Sequence, residues 1–281
     1  MPNIHWFPGH MSRALREIAE KASLVDLIVE LRDARAVLSS ANNDVIDIIK
    51  NRKRLIVLTK SDLADDQQTR KWLSHFKEQG LNAISVNLLL GKDLTRLVKE
   101  ITSHDSEKRR KEAARGMKPQ PLRIMVVGVP NVGKSTLINK LAKKKAAQVE
   151  NRPGKTKAQQ WIKVGNEFEL LDTPGVLPMK FASPEFAINL ALLGMVKEEI
   201  LPIEELAMKI ISYLRQNFIE QFVLAYNLDN IQNLDDRAIL KAIAFRSGAL
   251  SGGEPDINRA TMMLLNDFRN GKIVRLSLET I

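Results

Sequence analysis

The sequence predicts an α/β fold, a mostly parallel sheet flanked by helices and followed by a small all-helical domain. Three observations predict it. Short Val/Ile/Leu-rich runs alternate with stretches of helical spacing through the first 178 residues, the signature of repeated βαβ units. A glycine-bounded turn at Gly128–Gly133 follows an apolar run and opens a helix. After about Pro178 the character changes, and residues 183–281 show helical spacing with little strand pattern. The expected domains are therefore 1–178 and 179–281.

The elements follow in order. Leu24–Leu31, Arg54–Thr59 and Asn82–Val86 are apolar, short and closed by polar turns, as buried parallel strands are. Asn43–Lys50 and Gln67–Gln79 carry helical periodicity between them. Asp93–Glu112 reads as one helix running into a basic tail, and Ala114–Pro121, with Gly116, Pro119 and Pro121, reads as a linker. Strands resume at Leu122–Gly128, Gln160–Val164 and Phe168–Asp172, the last two joined through the turn pair Gly165-Asn166. Pro202 opens a helix at Ile203–Gln216, and helices at Asp235–Phe245 and Asn258–Phe268 follow, with Ser251–Gly253 as a loop.

Composition excludes several classes. The chain has 281 residues, 44% hydrophobic and 27% charged, enough to build sizeable cores. It has no cysteine, which removes disulfide scaffolds, thiolate zinc sites and cysteine nucleophiles. No apolar run approaches the ~18 residues of a spanning helix, and the N-terminus lacks the basic start and apolar stretch of a signal peptide. A cytoplasmic protein without membrane contact is expected. The net charge of +10 is uneven: residues 180–281 are slightly acidic, and the excess clusters at Lys50–Arg54, Lys108–Lys118, Lys143–Lys145 and Arg152–Lys157. That pattern points to a polyanionic partner.

Gly128-Val129-Pro130-Asn131-Val132-Gly133-Lys134-Ser135-Thr136 matches Gly-x-x-x-x-Gly-Lys-Ser/Thr. Glycines let the backbone N–H groups turn toward phosphates, and the helix start adds partial positive charge. Lys134 is expected on the β/γ-phosphates and Ser135 on Mg²⁺. Asp172-Thr173-Pro174-Gly175 ends a strand, where Asp172 can hold the Mg²⁺ shell and the Gly175 N–H can sense the γ-phosphate. Thr156, in the loop Arg152-Pro153-Gly154-Lys155-Thr156, can complete that shell.

Thr59-Lys60-Ser61-Asp62 resembles the Asn-Lys-x-Asp element that reads guanine, because a carboxylate at Asp62 accepts two hydrogen bonds that adenine does not offer. Thr59 stands where Asn is usual, which predicts a weaker brace on the phosphate loop. Ser85-Val86-Asn87 resembles the Ser-Ala-Lys element beside the base. These base-reading loops precede the phosphate loop, the reverse of the usual order. A doubly wound sheet tolerates such a circular permutation because every loop still lies at a strand's carboxyl end. The stretch 103–121 is the expected join.

The permuted order, the opening His5-Trp6-Phe7-Pro8-Gly9-His10-Met11, the segment Asp33-Ala34-Arg35 and the phosphate loop together resemble the bacterial ribosome biogenesis GTPase A family over nearly the whole chain. The resemblance implies hydrolysis of GTP to GDP, a partnership with the large ribosomal subunit and its rRNA late in assembly, and an RNA-binding helical domain. It also directs attention to His10. Val176 stands where small GTPases carry a water-orienting Gln, so either hydrolysis is slow or another group orients the water, and His10 is the candidate for that group. Asn131 resembles the Asn of potassium-stimulated GTPases and would hold K⁺. A monomer is expected. Two rival readings remain at this stage: a nucleotide-gated rRNA-binding placeholder with incidental hydrolysis, and a permuted GTPase acting on the small subunit or tRNA.

Overall fold

The computed structural model describes residues 8–144, 161–196, 202–229 and 231–281. The chain forms two compact units, Met1–Ala182 together with Glu279–Ile281, and Ser183–Leu278. The first unit runs α1 (Pro8–Ala22), β1 (Leu27–Asp33), α2 (Asn43–Ile49), β2 (Arg54–Thr59), α3 (Asp66–Glu78), β3 (Asn82–Ser85), α4 (Gly91–Ser103), α5 (Ser106–Ala114), β4 (Leu122–Val127), α6 (Lys134–Lys144), β5 (Trp161–Val164) and β6 (Phe168–Asp172).

The six strands lie in the order β3-β2-β1-β4-β6-β5, all parallel except β5, which pairs antiparallel with β6. Strands β1 and β4 are central, and all seven residues of β1 are buried. One face is covered by Ala14, Ile18 and Ala22 of α1 with Val45 and Ile49 of α2, packed on Ile28, Met125, Val127 and Leu171. The same face is covered over β2 by Trp72 and Phe76 of α3, packed on Ile56 and Leu58. The base-reading strands β2 and β3 come before the phosphate-loop strand β4 in the chain yet run parallel in one sheet with it, with β1 between β2 and β4, so the predicted permutation is the observed topology.

In the first unit the main departures from the sequence reading are at three places. β1 begins and ends later than Leu24–Leu31. Leu24 is exposed and closes the turn after α1, with its N–H on the Lys21 carbonyl. At the other end Arg32 and Asp33 stay buried in the strand because each has an ionic partner, Glu30 and Arg35. A charge does not end a strand when it is neutralised in place. Secondly, the expected helix Asp93–Glu112 is two helices, α4 and α5, parted at His104-Asp105. The turn brings Lys108 of α5 to 2.7 Å from the Asp26 carboxylate and from the Pro121 carbonyl. Thirdly, α1 has no counterpart in the sequence reading.

The second unit holds α7 (Pro184–Leu192), α8 (Ile203–Asn217), α9 (Ile219–Tyr226), α10 (Asp236–Arg246), a two-strand hairpin β7 (Leu250–Ser251) and β8 (Glu254–Pro255), and α11 (Ile257–Arg269). Leu206, Ala207, Ile210, Ile211 and Leu214 of α8 fall on one face at helical spacing and are buried. α10 and α11 pack on it with Ile243, Leu264, Leu265 and Phe268 buried. The carboxyl end of α7 is closed by Arg269, whose guanidinium donates to the Leu192 and Ala191 carbonyls at 3.0 Å each. Among the described residues no helix is long and apolar enough to cross a membrane.

Candidate nucleotide site

The phosphate loop leaves the end of β4 and enters α6 at Lys134. A side chain at Gly128 would place its Cβ 2.8 Å from the Leu31 carbonyl oxygen, so only glycine lets β4 and β1 approach this closely at the loop's start. Asn131 (φ +57°) and Gly133 (φ +113°) hold the loop in the left-handed half of backbone space, where successive N–H groups converge. Lys134 is buried. Its ammonium donates to the Gly128 carbonyl at 3.0 Å and to the Val129 carbonyl at 2.7 Å. Burial lowers its pKa to about 8, against the opposing pull of Asp172. Ser135 and Thr136 follow on α6, exposed.

The β1–β2 register sets Asp33 beside Thr59 and thereby aligns the base-reading loop with the phosphate loop. The Thr59 hydroxyl, fully buried, lies 2.7 Å from the Val132 carbonyl and 3.1 Å from that of Arg32. A hydroxyl has one proton to give, and the shorter bond to Val132 takes it. The Thr59 side chain, though shorter than the usual Asn, thus makes a direct hydrogen bond to the phosphate loop. Lys60 (φ +55°) turns back so that its ammonium lies 3.1 Å from Asp33. Burial alone would raise the Asp33 pKa, but Arg35 and Lys60 outweigh it and hold the carboxyl below its usual value. Asp62 is half-buried and its carboxylate has no hydrogen bond or ion pair among the described residues, so both oxygens are available to a ligand.

Ser85, Val86 and Asn87 follow β3. The Val86 N–H donates to Leu58 and its carbonyl accepts from Ser61, which ties this loop to the base-reading one. Asn87 is set by Asp93, which accepts from its N–H at 2.8 Å. Leu88, a residue the sequence reading passed over, reaches the phosphate loop: its Cδ1 would lie 3.2 Å from a Cβ at Gly133.

The segment after β6 closes on the phosphate loop. The Thr173 hydroxyl donates to the Val126 carbonyl at 2.6 Å. A Cβ on Gly175 would stand 2.8 Å from the Pro130 Cα and 3.0 Å from the Lys134 ammonium, so glycine is required for this contact. Val176 and Leu177 are buried, and Val176 packs in the cluster formed by α1 and α2. Two further residues escaped the sequence reading. The Asn42 amide donates to the Val176 carbonyl at 2.9 Å, and the Asp44 carboxylate accepts from the Met179 N–H at 2.8 Å. In the sequence they read only as a helix start, and Asn42 also fills that role, accepting from the Asp44 and Val45 N–H groups. His10 lies in the first turn of α1, and α1 shares the Val176 cluster, but the His10 side chain lies outside the described residues. Thr156 also lies outside them.

Among the described residues no three His, Asp or Glu side chains form a metal site of their own. A hydroxyl on Ser135 and a carboxylate on Asp172, near enough to Lys134 to act on its charge, suit a hard cation that takes its remaining ligands from phosphate and water. Elsewhere, a cleft of about 660 Å³ lies at the amino ends of the strands, among Asp26, Lys53, His104, Lys108 and Arg123. It sits at the opposite end of the sheet from the phosphate loop. There part of the basic join is paired: Lys53 and Lys111 both pair with Glu107 at 2.6 Å, and Arg109 pairs with Asp105 and Glu112.

Comparison with known proteins agrees with this geometry. A family model described as a 50S ribosome-binding GTPase matches residues 123–233. The chain is 42% identical to the ribosome biogenesis GTPase A of Bacillus cereus, over 99% of this chain and 94% of that protein. It is 34% identical to the ribosome biogenesis GTPase A of Thermotoga maritima, over 98% of this chain and 93% of the other. Among solved structures, GNP-bound YlqF from T. maritima aligns with a TM-score of 0.65 and 30% identity, covering 95% of this chain and 98% of that one. GDP-bound YlqF gives 0.66 and 30%, covering 94% and 99%. A phosphate loop and a base-reading loop joined in permuted order in one sheet, with full-length relatives at this identity, place the chain in the ribosome biogenesis GTPase A family.

Proposed function

We propose that this protein hydrolyses GTP slowly by itself and faster on the large ribosomal subunit, and that turnover is coupled to a late step of that subunit's assembly. The hydrogen bond from Thr59 to Val132 carries the nucleotide part of the reading, because it joins the base-reading and phosphate loops into one pocket. The subunit is proposed from the names of the relatives and from the basic balance of residues 1–179.

In this reading Asp62 accepts from the guanine edge, the stem of Lys60 lies along the base, and Ser61, Ser85, Val86 and Asn87 complete its surroundings. The N–H groups from Gly128 through Gly133 and the Lys134 ammonium hold the phosphates. Lys134 must then leave the Gly128 and Val129 carbonyls for the phosphate oxygens. Mg²⁺ would be held by Ser135, Asp172 and Thr156, and supplies charge neutralisation at the phosphates. Gly175 presents its N–H to the γ-phosphate. Val176 is buried and apolar and cannot hold water, which leaves that task to His10, carried alongside on α1. Asn131 is the proposed K⁺ ligand. Turnover on the subunit checks the last two assignments: His10→Ala, or Na⁺ in place of K⁺, lowers the rate, and an unchanged rate removes the corresponding group.

The protein is read as a cytoplasmic monomer. Co-sedimentation with separated subunits, in the presence of a non-hydrolysable GTP analogue, tests the partner. Binding to the large subunit is expected. Binding to the small subunit or to tRNA alone overturns the assignment, and large-subunit binding without stimulated turnover favours the placeholder reading that the buried Val176 leaves open.

A further inference from the structure

The first unit ends on three residues from the far end of the chain, Glu279–Ile281. The Glu279 carboxylate accepts from the Leu38 N–H at 2.5 Å, from the Ser39 N–H at 2.9 Å and from the Ser39 hydroxyl. These donors lie in the loop between β1 and α2. The same loop begins at Asp33, whose N–H donates to the Ser40 hydroxyl and whose carboxylate holds Arg35 and Lys60. It ends at Asn42 and Asp44, which hold Val176 and Met179 just beyond Gly175. One loop thus touches the base-reading element at one end and the γ-phosphate sensor at the other, and its middle is fastened by a carboxylate from the chain's end.

We propose that Glu279 is a positioning residue for the nucleotide switch, setting the β1–α2 loop so that Asn42 and Asp44 hold the Gly175 segment in place to discriminate GTP from GDP. The proposal rests on the reading of this site as a GTP pocket. Its logic is that of preorganisation. Two backbone N–H groups and a hydroxyl converge on one carboxylate, and charge-assisted bonds of this kind are about twice as strong as neutral ones. Losing them frees a loop whose far end carries two hydrogen bonds to the sensor. GDP has no γ-phosphate, so its affinity depends little on where Gly175 sits, whereas the affinity of a GTP analogue depends on it directly.

The test uses the full chain with Glu279→Ala and Glu279→Gln, and Ser39→Ala as a partial loss. Gln keeps one acceptor oxygen but turns a donor toward one of the N–H groups. Affinities for GDP and for a non-hydrolysable GTP analogue are measured by calorimetry, with thermal unfolding as the control for folding. Glu279→Ala is expected to lower the ratio of analogue to GDP affinity by about 3- to 10-fold, with GDP affinity nearly unchanged. Ser39→Ala and Glu279→Gln fall between it and the unaltered protein. An unchanged or raised ratio in folded Glu279→Ala overturns the proposal, as does an equal loss of both affinities, which marks a merely structural contact. If the unaltered protein itself binds neither nucleotide, the GTP reading fails instead, so the two failures are distinguishable.

Discussion

Lys134 shows how far one residue's chemistry is moved by its surroundings. Burial makes the ammonium costly, and its pKa falls from the usual 10.5 to about 8. Phosphates favour the ammonium, so binding takes up a proton whenever the free protein has lost it. The sign follows. Below about pH 8 the lysine is charged before and after binding, and affinity does not change. Above it, affinity for GDP falls with rising pH, by up to ~10-fold per unit. Calorimetry between about pH 7 and 9 checks this, with guanosine, which lacks phosphates, as a control that shows no such fall. A flat GDP profile would show that the free lysine keeps its proton. Asp62 is the second case at this scale. Its carboxylate has no hydrogen bond or ion pair among the described residues, and Asp62→Asn exchanges one acceptor for a donor. Preference is expected to move from guanine toward xanthine nucleotides by at least 10-fold, read as the ratio of the two affinities. Equal affinity of the unaltered protein for ATP and GTP would remove the base-reading role.

At the scale of elements, the parallel strands do most of the positioning. The register of β1 on β2 puts Asp33 beside Thr59, and that of β4 on β6 puts Val126 beside Asp172. Loops far apart in the chain therefore issue from one edge of the sheet. Thr59 is where this placement becomes a bond. In Thr59→Val the shape is kept and the Val132 carbonyl loses its buried donor, at a cost of about 1–3 kcal/mol. Denaturant unfolding is expected to show that loss, with a weaker GDP affinity because the phosphate loop is no longer braced. An unaltered affinity in the folded variant would mean that Leu88 and the Gly133 backbone suffice to hold the loop.

At the scale of the whole molecule, the candidate phosphate and base loops all lie in the first unit, and the second is the segment Ser183–Leu278. The first also carries the positive excess, although Lys53, Lys108, Arg109 and Lys111 spend their charge on ion pairs. Lys50, Arg110, Arg115 and Lys118 remain exposed without a described ion pair and are the better candidates for phosphate contacts. A chain ending at Ala182 is expected to bind GDP nearly as well as the full protein. It is expected to lose nucleotide-dependent binding to the large subunit in co-sedimentation, and part of its preference for a GTP analogue, because Glu279 is gone. Full subunit stimulation of such a fragment, shown to be folded, would make the helical unit a spectator.

Much was legible before any coordinates. Strands β2, β4 and β6, the phosphate loop and the permuted order are readable, because each rests on a local pattern, an apolar run or a glycine at a turn; Asp62, Asp172 and Gly175 are proposed from polar or glycine positions at strand ends. The break between α4 and α5 was not, since helical spacing continues across His104-Asp105 and the turn is set by where Asp26 and Pro121 wait for Lys108. Nor was the hydrogen bond of Thr59, which depends on the Val132 carbonyl 73 residues away. Asn42, Asp44 and Glu279 are ordinary polar residues in sequence, and only their hydrogen bonds across the fold distinguish them. Backbone conformation and burial period are short-range and written along the chain; a hydrogen bond between distant residues exists only once the sheet has set the distance between them.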